Sequence, residues 1–473
     1  MIRARFAPSP TGYLHIGSAR TFIFNWLYVR KHQGTMVLRI DDTDADRNTE
    51  ASLFSIYEGL NWLALNWDEL YRQSERLDLH RKLAFDLLAR SFAYRDFTPA
   101  ASEHEEKPHS DGPWLCHPEM RALSNEESEA RAAAGEPFVI RFRVQREQPT
   151  EISFKDEVYG QQSKLTADIE DFALLRSNGM PTYHLASCAD DIDLKITHII
   201  RGQDHLSNTF KHLLIFQAAG SPMPRFAHLP LLTAPDGSKL SKRRHGAVVS
   251  VTTYRDQGFL ALAYINFLCL LGWSPKDDRE QMTLYELMSA FTFEGVHRSN
   301  AVVNFSEADP IDPKALWLNA QHLRRIPVEQ LAPLVRQTLE AQNLVPYGDE
   351  AFFMHVVDTI RTRFSTLLDF ATKGRAYFAD DFPIEPPALE KLDAAGARAL
   401  LRELAGRIED DPQFTEASVE ANLRKLAEER GVKAGLLINA SRAALTGQTV
   451  GPSAFAVFVC VGRDRVIQRL RKV

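Results

Sequence analysis

At 473 residues the chain is longer than a single hydrophobic core usually grows, so two or more domains are expected. Hydrophobic residues at 44% and charged residues at 25% exclude a disordered chain. The net charge of -6 argues against a dedicated nucleic-acid binder, which carries a basic excess, although an acidic protein can still bear a basic patch.

The N-terminus, M-I-R-A-R-F, lacks the apolar core of a signal peptide, and the cytoplasm is the expected compartment. Arg3 to Ala7 alternates into a short strand, and P-S-P-T-G reads as a loop. From about Ser18 to His32 the residues Phe22, Ile23, Trp26 and Leu27 recur at helical spacing, and Gly34 suits the stop. Met36 to Ile40 is a second strand, so the unit predicts a parallel sheet with a right-handed crossover. Leu53, Ile56, Tyr57 and Leu60 mark a further helix.

The pattern changes from Tyr71 to Glu170, which reads as an insertion of about a hundred residues, a usual domain size. Within it, Ser124 and Glu127 form a capping box for a helix from Asn125 to Ala134, closed by Gly135. An extended stretch runs from Phe138 to Val144. Strand and helix then alternate again. Phe172 to Arg176 and Met180 to Tyr183 flank the turn Asn178-Gly179. Ile196 to Ile200 is a strand, Leu206 to Ala219 a helix, and Phe226 to Leu232 a strand. The α/β domain is therefore expected in two halves around an inserted one.

Beyond Val251 the chain reads as mainly helical; one helix runs from a Thr415 cap to Arg430, with Val419, Leu423 and Leu426 on one face. The longest apolar run, Phe259 to Trp273, is too short for a bilayer and carries Asn266. Arg463, Arg465, Arg469, Arg471 and Lys472 against Asp464 form either a basic patch or a solvated helix end. Cys116, Cys188, Cys269 and Cys460 lie too far apart for metal-ligand spacing, so neither a zinc site nor a disulfide framework is expected.

Two short motifs carry chemistry. His15-Ile16-Gly17-Ser18 opens the first helix beyond the carboxyl end of a strand, where free N–H groups meet phosphate. Gly17 allows close backbone approach, and His15 can donate to a phosphate oxygen. Lys239-Leu240-Ser241-Lys242-Arg243 follows the turn Pro235-Asp236-Gly237, and its lysines can hold a triphosphate as charge builds on the leaving group. Taken alone, the first motif reads more readily as a plain helix start and the second as a basic surface loop.

In this order, with an insertion between them, the motifs resemble the paired signatures of the class I aminoacyl-tRNA synthetases. R-F-A-P-S-P-T-G-Y-L-H-I-G, which spans the signature Pro8 to Ser18, is similar to the opening of the glutamyl branch. R-I-D-D-T-D (Arg39 to Asp44), R-Q-S-E-R (Arg72 to Arg76), P-T-Y-H-L-A (Pro181 to Ala186) and I-I-R-G (Ile199 to Gly202) follow in that family's order. D-P-x-K-x-L-W-x-N (Asp312 to Asn319) and R-A-A-L-T-G (Arg442 to Gly447) extend the match. It is weakest at Ala100 to Gly135.

The resemblance implies a Rossmann-like catalytic domain at 1–72 and 175–245, split by an inserted α+β domain at 73–174 that holds the tRNA acceptor end. A helical stem-contact domain at 246–312 and two helical anticodon-binding domains at 313–375 and 376–473 follow. It implies ATP-dependent attachment of L-glutamate to tRNA-Glu through a glutamyl-adenylate, with Mg²⁺ and without structural zinc. Adenylate formation is expected only with tRNA bound. Catalytic roles fall to His15, Gly17, Lys239 and Lys242. Glutamate is expected on Arg5, Ala7, Ser9, Asp41, Tyr183 and Arg201, with Arg5 and Tyr183 at the γ-carboxylate and Arg201 at the α-carboxylate. Ser9 and Asp41 take the α-ammonium. ATP is expected on His15, Gly17, His205, Leu231, Leu232, Lys239, Ser241 and Lys242, adenine lying near Leu231 and Leu232. A monomer is expected, with neither membrane nor DNA as partner.

Three places depart from the commoner family pattern: Asp41 stands for Glu, Ser187 for Asn, and Gln203-Asp204-His205 for acidic residues and Trp. Three other readings stay open: charging of tRNA-Gln as well, a glutaminyl enzyme, or a non-charging tRNA-binding relative. The glutaminyl family has a β-barrel anticodon part, against the helical pattern here.

Overall fold

The computed structural model describes residues 1–44, 48–99, 118–306 and 309–473; the side chains of Lys242, Arg243, Ala247 and Val248 also lie outside the described residues. Cys116 and half of the weakly matching stretch fall outside them too. The chain packs as two compact units, one of Met1–Thr253 with Ile265–Pro310, the other of Tyr254–Tyr264 with Ile311–Val473.

In the first unit, β1 (Arg3–Phe6) leads into α1 (Ile16–Lys31), β2 (Thr35–Ile40), α2 (Glu50–Trp62) and β3 (Glu69–Arg72). All three strands run parallel. α1 stops because Gln33 takes the left-handed conformation at φ 52. Gly34 serves differently from the expected stop: a Cβ there would stand 2.4 Å from the Ile2 carbonyl oxygen.

After α3 (Leu77–Ala89) come β4 (Ala93–Asp96), α4 (Pro118–Ala122), α5 (Asn125–Ala133) and β5 (Val139–Phe142). Ser124 Oγ accepts the Glu127 N–H at 3.2 Å, one of the two bonds of the expected capping box. The hairpin β6 (Glu151–Asp156) and β7 (Gly160–Leu165) precedes β8 (Ala173–Leu175). The Asn178-Gly179 turn is present, but its far arm is a single bridge at Pro181, because Tyr183 already opens α6 (Tyr183–Asp193). β9 (His198–Gly202), α7 (Leu206–Ala219) and β10 (Arg225–Leu229) complete the alternation, and β11 (Leu232–Thr233) pairs with β12 (Ala301–Val302).

The main sheet has the order β3-β2-β1-β9-β10-β6-β7, parallel except for the β6–β7 hairpin pairing. Only β4, β5 and β8 form the separate antiparallel sheet of the insertion. The expected insertion at 73–174 therefore gives residues 151–165 back to the catalytic sheet. Neighbours run outward from β1 in both directions, to β2 and to β9, so a switch point lies beyond their carboxyl ends.

The second unit is helical throughout its described residues. One apolar core runs from Leu260 and Ala263 through Leu323 and Leu401 to Leu470, so the expected boundary at 375 does not divide it. The expected domain at 246–312 is likewise shared between the two units. The basic tail divides between a solvated end, the exposed Arg471 and Lys472, and an inward face. Arg465 and Arg469 are buried, donating to Asp380 and to the carbonyls of Tyr377, Ala379 and Leu445. Arg463 donates to the carbonyls of Ile408 and Glu409, and Arg471 pairs with Glu409.

Candidate functional site

A cavity of about 460 Å³ opens at the switch point. Its walls are the loop after β1, the start of α1, the ends of β2 and β9, the first turn of α6 and the segment from Leu231 to Leu240. Arg5, Ala7, Ser9, His15, Gly17, Asp41, Tyr183, Arg201, His205, Leu231, Leu232 and Lys239 all line it. Ser241 does not; its N–H donates to His245 Nδ1 at 3.1 Å. The Lys242 side chain lies outside the described residues.

His15 is the N-cap of α1, and its Nδ1 accepts the Gly17 N–H at 3.0 Å. The neutral ring therefore carries its proton on Nε2, the donor a phosphate oxygen requires. Gly17 is small for a reason the sequence left out: a Cβ would stand 3.3 Å from His15 Nδ1. Lys239 Nζ sits 2.8 Å from Asp204, an exposed pair at the cavity mouth.

Leu231 offers no free N–H to adenine in this conformation, because that group donates to Asn300 Oδ1 at 3.1 Å. Its carbonyl accepts from Ala301 at 3.0 Å.

Arg5 and Arg201 are buried guanidinium groups facing the same space. Arg5 donates through Nε to Asp191 at 3.1 Å. Arg201 donates to Thr209 at 2.8 Å, to His228 Nε2 at 3.1 Å and to Tyr183 at 3.2 Å, all neutral partners. Among the described residues no carboxylate pairs with it, and burial lowers its pKa below the ordinary value. The Tyr183 hydroxyl, expected beside Arg5, thus bonds Arg201 and lies 3.1 Å from His205 Nδ1. His205 is held neutral, its pKa lowered to about 4 by burial and by Arg201.

Asp41 caps no helix; Arg39 grips it at 2.7 and 3.2 Å. Arg39 also donates to Asp191 at 2.9 Å and to Ser187 Oγ at 3.4 Å. Burial alone would lower Arg39, but Asp41, Asp191 and Asp190 outweigh it and raise its pKa. The shorter Asp41 and the hydroxyl of Ser187 are thus both turned to this guanidinium.

Four groups of the site escaped the sequence reading. Arg39 and Asp191 sit inside or just past quoted motifs, and an arginine in the apolar strand of R-I-D-D was a signal for a buried partner. Asp156, on the hairpin assigned to the insertion, lies 2.7 Å from His228 Nδ1 and so orients the ring that receives Arg201. Arg20, buried on α1, donates to the carbonyls of Leu271 at 2.8 Å and Pro230, and burial takes its pKa down to about 10. Among the described residues no three His, Cys, Asp or Glu side chains stand together as a metal site, and no helix is long and apolar enough to cross a membrane.

A parallel sheet with a cation-lined cavity at its switch point, followed by a helical unit, has close counterparts. Residues 1–309 match the catalytic domain of tRNA synthetases class I (E and Q), and residues 330–473 match an anticodon binding domain. The chain belongs to this glutamyl and glutaminyl branch of the class I tRNA synthetases. Within the branch, it has full-length relatives that are glutamate–tRNA ligases. That of Solibacter usitatus is 53% identical, covering 99% of this chain and 98% of that protein. That of Thermus thermophilus is 39% identical over 100% of this chain and 99% of its own. A crystal structure of a glutamate tRNA ligase from Elizabethkingia meningosepticum, in complex with its amino acid, superposes with a TM-score of 0.84 at 29% identity, covering 100% and 98%.

Proposed function

We propose that the chain attaches L-glutamate to tRNA-Glu at the expense of ATP. The observation that carries this is Arg201, buried without a carboxylate partner among the described residues and facing the cavity it shares with Arg5. A buried cation left unpaired is costly, so a ligand that brings two carboxylates stabilises the site. Arg5 takes the γ-carboxylate through its terminal nitrogens, a guanidinium matching a carboxylate in two bonds, and Arg201 offers its charge to the α-carboxylate. Ala7 and Ser9 border the bound amino acid. Asp41, one methylene short of Glu, meets the α-ammonium from its place on Arg39.

In the first step the glutamate α-carboxylate attacks the ATP α-phosphorus, and pyrophosphate leaves. His15 Nε2–H, the α1 N-terminus, Lys239 and Lys242 offset the charge that builds on the phosphates, and Mg²⁺ carried by ATP supplies further positive charge when bound. Adenine lies against Leu231 and Leu232, with His205 and Ser241 near the nucleotide. In the second step the 2′-hydroxyl of the terminal tRNA adenosine attacks the acyl carbon, and AMP leaves. Positioning carries the catalysis and no protein nucleophile forms a covalent intermediate.

The acceptor end docks on the insertion and the helical unit meets the anticodon. A glutaminyl enzyme is disfavoured by the helical second unit. Aminoacylation of purified tRNA-Glu and tRNA-Gln, each with glutamate and with glutamine, tests the proposal. Glutamylation of tRNA-Glu is expected; glutamine transfer or no transfer overturns it, and glutamylation of tRNA-Gln marks the broader enzyme.

A further inference from the structure

Behind the cavity lies a fully buried carboxylate that does not itself line it. Asp190, on α6, receives three bonds from the segment that leaves β3. Gln73 Nε2 donates to its Oδ2 at 2.8 Å, and Arg76 Nε and His80 Nε2 each reach Oδ1 at 2.8 Å. A carboxylate only accepts, so His80 carries its proton on Nε2. Burial works against ionisation, yet His80, Arg39 and Arg76 hold Asp190 below the ordinary carboxylate pKa. On its remaining side Asp190 Oδ2 stands 3.7 Å from Arg39 Nε.

That nitrogen belongs to the guanidinium which grips Asp41 and, through Nη1, Asp191. Asp191 in turn holds Arg5. Every link is buried: the side chains of Arg39 and Asp190 are 0% exposed, and those of Asp191 and Arg5 1% and 5%. In such surroundings charges are weakly screened, and a guanidinium between three carboxylates sits where their sum places it.

We propose that Asp190 is a positioning residue of the amino-acid pocket: fixed by Gln73, Arg76 and His80, it sets the orientation of Arg39 and, through Asp41 and Asp191, of the groups that meet the amino acid. The inference rests on the proposed reaction and deepens it. Asp190→Asn keeps the shape and removes the charge. Arg39 then turns toward Asp41 and Asp191 alone, Asp41 is drawn back and Arg5 loses its share of Asp191.

The test is steady-state aminoacylation with glutamate and ATP varied in turn. Asp190→Asn is expected to raise KM for glutamate on the order of tenfold with KM for ATP within about twofold. A carboxylate that only helps folding would lower the active fraction, and so the apparent kcat, at unchanged KM for glutamate; that result overturns the proposal. Arg76→Gln guards against a variant that fails to fold, since Arg76 reaches solvent and supplies one bond of the three. It is expected to raise the same KM about threefold, and an unchanged KM here also overturns the proposal. Failure of the wild type to transfer glutamate at all would instead overturn the proposed reaction.

Discussion

Arg5 and Lys239 show how differently two cations in one cavity stand toward stability and function. Arg5 is buried and shares Asp191 with Arg39. Arg5→Ala therefore leaves Asp191 paired and removes only the charge offered to the ligand. Glutamate transfer is expected to fall by about 3–5 kcal/mol in kcat/KM, the loss typical of a broken buried pair. Near wild-type glutamate charging by the variant would remove Arg5 from the γ-carboxylate. Lys239 stands at the mouth, exposed beside Asp204. Its loss costs under about 1 kcal/mol of folding stability, because water screens the pair. Adenylate formation in Lys239→Ala is expected to slow by on the order of a hundredfold, the usual effect of removing one group that meets developing charge. A variant with intact turnover and weakened tRNA affinity would make Lys239 a nucleic-acid contact.

Among the elements, α7 was legible nearly to the residue. Its apolar face recurs at helical spacing and Gly220 stops it in the left-handed conformation at φ 68, both local facts. The β6–β7 hairpin went unread inside the expected insertion. Its alternation gives strands, but the choice between two sheets is made by β10, some seventy residues later in the chain. With the hairpin went Asp156, and so the support of Arg201. The last helix, Arg463–Lys472, misled in the same way. Its charges are local, whereas their partners Asp380 and the carbonyls of Tyr377, Ala379 and Leu445 are distant in sequence. Arg469→Ala is expected to destabilise the second unit by about 2–4 kcal/mol, since a buried carbonyl and a half-buried one lose their donor together. Denaturant unfolding followed by the helical signal measures it, and an unchanged midpoint would make the arginine a surface group after all.

For the molecule as a whole, buried histidines couple stability to pH. Burial lowers the pKa of His184, His198, His205 and His322 from 6.5 to about 4 in each case. The unfolded chain takes up these protons near pH 6.5, while the folded chain refuses them until about 4. Their contribution is present in full above 6.5 and is lost as pH falls toward 4. A lower denaturation midpoint at about pH 5 than at about pH 7.5 is expected; equal midpoints would mean that these rings titrate as exposed groups. At this scale the sequence was a good guide to which elements exist and to the cavity they build. It was a poor guide to which core each element joins, because cores are closed by contacts that no local pattern records.

The second core contains Leu260 and Ala263 together with Val466 and Leu470. During synthesis the first two emerge long before the last two exist. Ribosomes add about 5–20 residues per second, so that interval is on the order of ten to forty seconds. Throughout it the core that Leu260 joins stays open, because its last members are not yet translated. The nascent chain thus carries a timed window of stickiness, and slow codons or stalling between these two segments would lengthen it, with chaperone capture or aggregation as the outcome.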